Sequence, residues 1–453
     1  MKITVVGTGY VGLVTGVCLA YKGHHVICID KKKDIVEKIN NMEVPIYEPG
    51  LDKLLKEVIA SGRLKAATEL GKSVAESEVS IIAVGTPFKG DEIDLTYIKA
   101  ATKEIGTALK ERDKYHVVCV KSTVIPTTTD TLVKNYLEDS SGKKLGEDIG
   151  LAMNPEFLRE GKAMEDFMNP DRIVIGAYDK NSFSIMEKVY KDYFKAPIIR
   201  CNLRTAEMIK YTANALLATL ISYSNEVATI CEKTGEIDVK EVLEGVVLDK
   251  RFNPRVNGKL VNPEMNKYLQ AGCGFGGSCF PKDVKALISY SIAKEHIPRI
   301  IDSTIEVNKE QPLRIISRLE DSVGTLEGKK VAVLGLAFKP ETDDVRESPS
   351  IAIIKELLEK KARVHGVDPK AMDNMKKIIP PDNSLTYSTE YKSALEDADA
   401  VILVTSWPDF VQIPPEDFIR LMKKPLVVDG RRVFDKARLK AKGIRYIGVG
   451  LAY

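Results

Sequence analysis

Apolar runs of strand length alternate with amphipathic, helix-like stretches at both ends of this chain. That alternation constrains the fold more than any other feature. In the first half the runs are Lys2–Val6, His25–Ile29, Val79–Val84, His116–Val120, Ile149–Met153 and Arg172–Ile175. Strands separated by helices predict a mostly parallel sheet covered by helices on both faces. The pattern then breaks. From Leu203 to Lys233 the chain contains neither Pro nor Gly, and Gly235 follows as a stop signal. This reads as one long helix, apolar on more than one face, of the kind that lies between domains or subunits. Alternation returns with Lys330–Leu334, Ala362–Val367, Ala400–Thr405, Leu426–Val428 and Ile444–Ile447. The expected layout is α/β with three parts: residues 1–200, a central helical region over 201–318, and a second α/β domain over 319–453.

Length and charge agree with that division. The chain has 453 residues, enough for two to three domains at about 150 residues each. Its net charge is only +3, without the concentrated basic excess that phosphate-tracking proteins carry, so nucleic acid is not the expected partner. No run approaches the ~18 consecutive apolar residues that span a bilayer. The opening MKITVVGTGYVG is Gly-interrupted and lacks a small-residue cleavage site, so no signal peptide is expected. Seven scattered cysteines with no CxxC fit a reducing cytoplasm. The five histidines do not cluster at ligand spacing, so no metal site is expected.

Gly7-Thr8-Gly9-Tyr10-Val11-Gly12 follows the first strand and opens a helix with GxGxxG spacing. Gly7 allows the tight turn, Gly9 lets backbone approach a pyrophosphate, and Gly12 lets helix and strand pack closely. The helix N-terminus then faces the phosphate charge. Asp30 ends the second strand, where a carboxylate holds the ribose hydroxyls and repels a 2′-phosphate, which favours NAD over NADP. Lys31, Lys32 and Lys33 read more readily as a solvated charge run, the alternative being that they soften this preference.

The stretch Gly274-Phe275-Gly276-Gly277-Ser278-Cys279-Phe280-Pro281-Lys282-Asp283 carries the most chemistry. Three glycines make a loop of close approach, and Pro281 marks the first turn of a helix. Cys279 then lies at the helix N-terminal edge, where the dipole and Lys282 favour thiolate. Asp283 is one turn further on the same face, so nucleophile and base share a face. The alternative for any isolated cysteine is a buried structural thiol, and Cys273 is a possible confounder. Lys210 and Asn214 share a face of the long helix at i, i+4 spacing. They suit stabilisation of an oxyanion, although a lysine there can also snorkel to solvent. Lys339, Arg346, Arg431 and Arg432 are candidates for anion contacts. Taken singly, each reads more readily as a surface salt bridge.

GTGYVG, VGTP at Val84–Pro87, KST at Lys121–Thr123, NPEFLREG at Asn154–Gly161, the Lys210/Asn214 pair, GFGGSCFPKD and GLAFKPETDDVRESPS occur in that order. Together they resemble the nucleotide-sugar 6-dehydrogenases over nearly the whole chain. The resemblance implies a Rossmann NAD-binding domain, a long central helix forming a homodimer interface, and a C-terminal Rossmann-like domain binding the nucleotide sugar. It implies oxidation of a sugar C6 alcohol to the acid with two NAD and one water. UDP-glucose is the expected substrate, with GDP-mannose or a UDP-N-acetylhexosamine as alternatives. A two-electron hydroxyacid-type dehydrogenase is a more distant alternative. By resemblance, Cys279 is the nucleophile that forms a thiohemiacetal and then a thioester, and Asp283 activates the hydrolytic water. Lys210 and Asn214 stabilise oxyanions, and Thr123 and Glu156 position water or move protons. Cofactor contacts fall on Gly7, Gly9, Tyr10, Val11, Gly12, Asp30, Thr86, Thr123, Glu160, Lys282 and Arg346. Substrate contacts fall on Glu156, Phe157, Leu158, Lys210, Asn214, Gln270, Phe275, Gly276, Lys339 and Arg431. Arg251 matches an arginine that reaches the neighbouring subunit's site. The chain departs from the family pattern at Ile35, at Cys273 and in a longer segment after Arg251.

Overall fold

The computed structural model describes residues 1–90 and 92–452, and the chain divides into two compact units, Met1–Ala213 and the remainder from Asn214. The first unit is built on an eight-stranded sheet. Its strands are β1 (Lys2–Val6), β2 (His25–Ile29), β3 (Leu64–Ala67), β4 (Val79–Ile82), β5 (His116–Val120), β6 (Ile149–Met153), β7 (Ile173–Ala177) and β8 (Ile198–Cys201). In space they run β8-β7-β6-β5-β4-β1-β2-β3. All pairings are parallel except β6 with β7. Successive side chains on a strand point to opposite faces. Ile3, Val5 and Ile81 therefore enter one core while Val6 and Ile82 enter the other. Both faces being covered explains why these strands read as continuous apolar runs.

Six strands of this sheet lie where the apolar runs predict them, with ends moved by up to two residues. β3 and β8 were not expected. LKAA is short and low in β-branched residues, and IIRC lies at a sheet edge with half of its residues exposed. β1 sits between β2 and β4, so the winding direction reverses beside it. A crevice outside the carboxyl ends of the strands follows at such a reversal. Helix α1 (Tyr10–Tyr21) starts there, with Gly9 as its N-cap.

The long helix α2 (Leu203–Thr234) ends at Gly235, which takes φ +85° as expected of the stop signal. The division between the units falls inside it. In the second unit, Ser222 Oγ donates to the Thr304 carbonyl at 2.7 Å, which ties α2 to helix α4 (Arg299–Val323). Glu232 accepts from Arg314 at 2.8 Å and Arg318 at 2.6 Å, the latter also donating to the carbonyls of Gly448 and Leu451. Helix α3 (Phe280–Ala293) precedes α4.

The second unit's six-stranded sheet is wholly parallel. Its strands are β9 (Lys330–Leu334), β10 (Arg363–Val367), β11 (Leu385–Ser388), β12 (Ala400–Leu403), β13 (Leu426–Asp429) and β14 (Arg445–Gly448), in spatial order β11-β10-β9-β12-β13-β14. β11 was not expected. The order is the doubly wound one, with its reversal between β9 and β12. Here, however, the carboxylate after the second strand turns inward. Asp368 is fully buried and accepts N–H bonds from Leu336 (2.8 Å), Ala337 (3.0 Å), Lys370 (2.9 Å) and Ala371 (2.8 Å) and from the Trp407 indole (3.1 Å). The turn after β9 therefore has its N–H groups filled by the protein itself. This agrees with its glycine pattern being too thin for a dinucleotide fingerprint. Asp368→Ala removes the acceptor of five donors, four of them buried, and is expected to destabilise the second unit by about 3 kcal/mol or more, measured as a shifted denaturant midpoint.

Candidate active site

The predicted residues are divided between the two units. At the head of α1, Gly7 takes φ +97°, and a Cβ there would lie 2.8 Å from the Ala83 carbonyl oxygen. A Cβ on Gly12 would lie 1.9 Å from the Gly7 carbonyl oxygen, so helix and turn touch through a bare α-carbon. Gly9 has open space beside it. Asp30 accepts from the Thr8 amide (3.2 Å) and hydroxyl (2.5 Å) and from the Lys32 amide (3.0 Å), and is only partly buried. A cradle that fits only without side chains, with a carboxylate at its rim, fits the pyrophosphate and ribose of a dinucleotide. Tyr10 and Val11 open α1 and remain partly exposed. The Tyr10 hydroxyl donates to Glu48, and Tyr10 Oη and Glu48 Oε2 both accept from the Gly161 amide at 2.8 Å. Burial and the Glu48 carboxylate hold the Tyr10 phenol protonated. Glu160, one residue before Gly161, is thereby fixed near the cradle's helix. The Thr86 hydroxyl donates to the Thr123 carbonyl at 2.9 Å, joining two more predicted cofactor residues.

The loop after β6 carries Glu156, Phe157 and Leu158. Glu156 and Lys210 form an ion pair of 3.0 Å with side chains only 6% and 4% exposed. The second oxygen of Glu156 accepts from the Leu158 amide at 2.6 Å. Burial alone raises the Glu156 pKa, but the Lys210 charge, these hydrogen bonds and Lys121 outweigh it and hold the carboxyl below its usual range. Phe157 lies under two cations, the Arg172 guanidinium 3.9 Å and the Lys210 ammonium 5.6 Å from its ring centroid. The lysine does not snorkel. It is the buried ion-pair partner of Glu156.

In the second unit, Cys279 is the N-cap of α3 and Pro281 lies in its first turn, as predicted. Asp283, 1% exposed, donates its amide to the Cys279 carbonyl at 2.8 Å. Its carboxylate accepts from Asn214 Nδ2 at 2.6 Å and pairs with Lys282. The Asp283 carboxylate is thus fixed in orientation by the helix α2 amide and its own neighbour. The glycine loop before it is pressed against residues 338–347: a Cβ on Gly276 would lie 2.3 Å from the Glu347 carbonyl oxygen, and Gly277 at φ +84° faces Phe338. Asn308 clasps Phe275, its oxygen accepting from the amide (2.7 Å) and its nitrogen donating to the carbonyl (3.0 Å). Arg431 donates to the Val404 carbonyl at 2.6 Å and the Gly274 carbonyl at 3.2 Å. Lys339 lies 5.3 Å from the Phe338 ring.

Other predicted residues are held by side-chain partners of their own or lie exposed, although the Arg346 carbonyl accepts from the Gly277 amide at 2.8 Å. Arg251 is exposed and chelates Asp249, Arg346 chelates Asp344, and Gln270 is exposed. Arg432 is ion-paired with Asp238, so for it the salt-bridge alternative holds. Sequence reasoning missed Glu48, Arg172, Asn308 and Glu207. Glu207 is fully buried and accepts from the Thr127 amide and from the amide and hydroxyl of Thr129. Its spacing, three residues before Lys210 on the helix, was the available signal. The other three act on partners distant in sequence and left none.

A dinucleotide cradle and a buried Glu156–Lys210 ion pair in one unit, with a helix-edge cysteine in the other, fit the class of NAD-linked oxidoreductases. Comparison with known proteins agrees. The chain matches the UDP-glucose/GDP-mannose dehydrogenase family in its NAD binding domain (residues 1–194), central domain (204–310) and UDP binding domain (332–436). It belongs to that family, with NAD as cofactor and a nucleotide sugar as substrate. It is 40% identical over 450 residues to UDP-glucose 6-dehydrogenase TuaD of Bacillus subtilis, covering 99% of this chain and 93% of that protein. It is 41% identical to a UDP-glucose 6-dehydrogenase of Rhizobium meliloti, covering 99% of each. A UDP-glucose dehydrogenase structure from Pyrobaculum islandicum matches with a TM-score of 0.89 at 39% identity, covering 99% of this chain and 98% of that one. No helix among the described residues is long and apolar enough to cross a membrane.

The two glycines separate folding from binding. Gly12→Ala drives a Cβ into backbone and is expected to lower the melting temperature together with NADH affinity. Gly9→Ala is expected to leave melting unchanged and weaken NADH at least about tenfold, because its open side is where a pyrophosphate approaches. Fluorescence titration and thermal denaturation check both.

Proposed function

We propose that the chain oxidises the C6 alcohol of UDP-glucose to UDP-glucuronate in two two-electron steps through a covalent adduct on Cys279. The observation that carries this reading is the cysteine at the N-terminal edge of α3, with a buried, oriented carboxylate one turn along. The identities near 40% to proteins named UDP-glucose 6-dehydrogenase support the substrate. NAD supplies the hydride acceptor for each oxidation, held by Gly7–Gly12, Asp30, Thr86, Thr123 and Glu160, with Lys282 and Arg346 as further contacts.

The side chains then have separate tasks. Glu156 and Lys210 move the C6 hydroxyl proton, and Lys210 with Asn214 neutralises the oxyanion that each step develops. The thiolate of Cys279 adds to the C6 aldehyde, which keeps the aldehyde bound and leaves a carbon bearing hydrogen, oxygen and sulfur. Loss of a second hydride and a proton gives the thioester. Water, activated by Asp283 and positioned by Thr123, releases the acid and returns the thiol. Phe157, Leu158, Gln270, Phe275, Gly276, Lys339 and Arg431 hold the nucleotide sugar. Domains spanning 1–200, 201–318 and 319–453 are the working division.

The chain works as a homodimer, with Arg251 reaching the neighbouring subunit. Leu216, Tyr223 and Ile230 are 51%, 54% and 58% exposed and recur every seven residues on α2, an apolar stripe that a second copy covers. Tyr223→Glu is expected to reduce the sedimenting mass to that of one chain.

Purified protein with NAD and UDP-glucose is expected to yield two NADH per sugar. Cys279→Ser is expected to lose acid formation on the order of a thousandfold while retaining at most a slow first oxidation. One NADH per sugar, or full turnover by Cys279→Ser, overturns the covalent mechanism. GDP-mannose or a UDP-N-acetylhexosamine turning over faster than UDP-glucose overturns the substrate.

A further inference from the structure

Lys121 opens the KST motif and has no role in the mechanism above. It is 4% exposed. Its ammonium donates to Asn154 Oδ1 at 2.9 Å and to the Asn154 carbonyl at 3.5 Å, and lies 5.8 Å from the Phe167 ring centroid. Among the described residues no carboxylate forms an ion pair with it. Asn154 is itself locked: it accepts from the Tyr190 hydroxyl at 2.5 Å and donates to the Val174 carbonyl at 2.7 Å. Two residues further on is Glu156. A rigid amide thus connects this lysine to the loop that carries the carboxylate.

A buried ammonium without a counter-ion is expensive, and an apolar side chain of similar size usually stabilises such a position. Packing therefore does not account for Lys121. The charge count does. Glu156 and Lys210 neutralise each other at 3.0 Å, so Lys121 leaves the buried cluster with one excess positive charge. An oxyanion forming at Lys210 meets that charge in a low-dielectric setting.

We propose that Lys121 is a positioning residue for the acid–base pair: its buried charge, tethered through Asn154, holds Glu156 as the anion and supplies the positive field that an oxyanion at Lys210 requires. This rests on the proposed roles of Glu156 and Lys210. The charged and titratable groups around Lys121 are Cys119 on the preceding strand β5, Glu156 and Asn154-bound Tyr190, and Lys210 on the long helix. Burial, with Lys210 adding repulsion and Cys119 and Glu156 opposing, pulls the Lys121 ammonium down to about 8. Lys121 in turn helps keep Glu156 below its usual range. Removing the lysine raises the Glu156 pKa, so the acidic limb of the rate profile moves to higher pH.

The test is the pH dependence of kcat for Lys121→Met at saturating NAD and nucleotide sugar. The expected result is an acidic limb displaced upward by about one unit and a kcat lowered about tenfold at neutral pH. KM for both substrates stays within about twofold and the melting temperature is unchanged or raised. Should the Met variant not fold, Lys121→Gln, which keeps a donor for Asn154, is measured instead with the same displacement expected. An unmoved acidic limb, whether or not overall activity falls, overturns the inference. Lys210→Met and Glu156→Gln are run beside it. If those two turn over normally, the assignment of the acid–base pair fails; if they are impaired while Lys121→Met keeps the parent pH profile, only the role of Lys121 fails.

Discussion

Two charges meet in the interior of the first unit, and the arrangement around them follows from that. The Glu156–Lys210 pair is almost wholly removed from water, and two ions are taken out of water at a cost of several kcal/mol each unless every remaining lone pair and proton is satisfied. The surroundings meet this demand. The Leu158 amide takes the second carboxylate oxygen, and the Phe157 ring faces the ammonium. The pair also fastens the loop after β6 to the start of the long helix. Neither side chain can therefore shift without breaking the packing that buries it.

Around the cofactor cradle the constraint is steric instead. Gly7 and Gly12 approach neighbouring backbone too closely for any Cβ, which brings the helix N-terminus onto the turn. The second sheet has the same winding order but reverses the logic. Asp368 turns inward and takes up the amides after β9, so this sheet offers no second cradle of that kind. One architecture is used twice, and the direction of a single carboxylate separates a dinucleotide site from a self-filled turn.

The glycine loop that carries Cys279 depends on close approach in the same way. Gly276 and Gly277 press against residues 338–347, and Asn308 and Arg431 hold the loop's carbonyls. Cys279 is thereby attached to a rigid helix start, and the Asp283 carboxylate one turn along has its two oxygens directed by Asn214 and Lys282.

The sequence by itself determined the alternation of strands and helices, the GxGxxG turn with Asp30, the long helix to its terminal Gly235, and the cysteine at a helix edge. Each of these is a local pattern, set by residue periodicity, by the φ that only glycine adopts readily, or by spacing of one helical turn. Strands Leu64–Ala67, Ile198–Cys201 and Leu385–Ser388 escaped, because short or edge strands take their order from neighbours and not from their own composition. Only the tertiary structure decided that Lys210 is buried against Glu156 instead of reaching solvent, that Asp283 is gripped by Asn214, that Arg432 is given to Asp238, and that Lys121 is buried with no ion pair among the described residues. Those outcomes depend on which groups the fold brings together from distant parts of the chain and on how much water it leaves beside them. No sequence spacing carries that information.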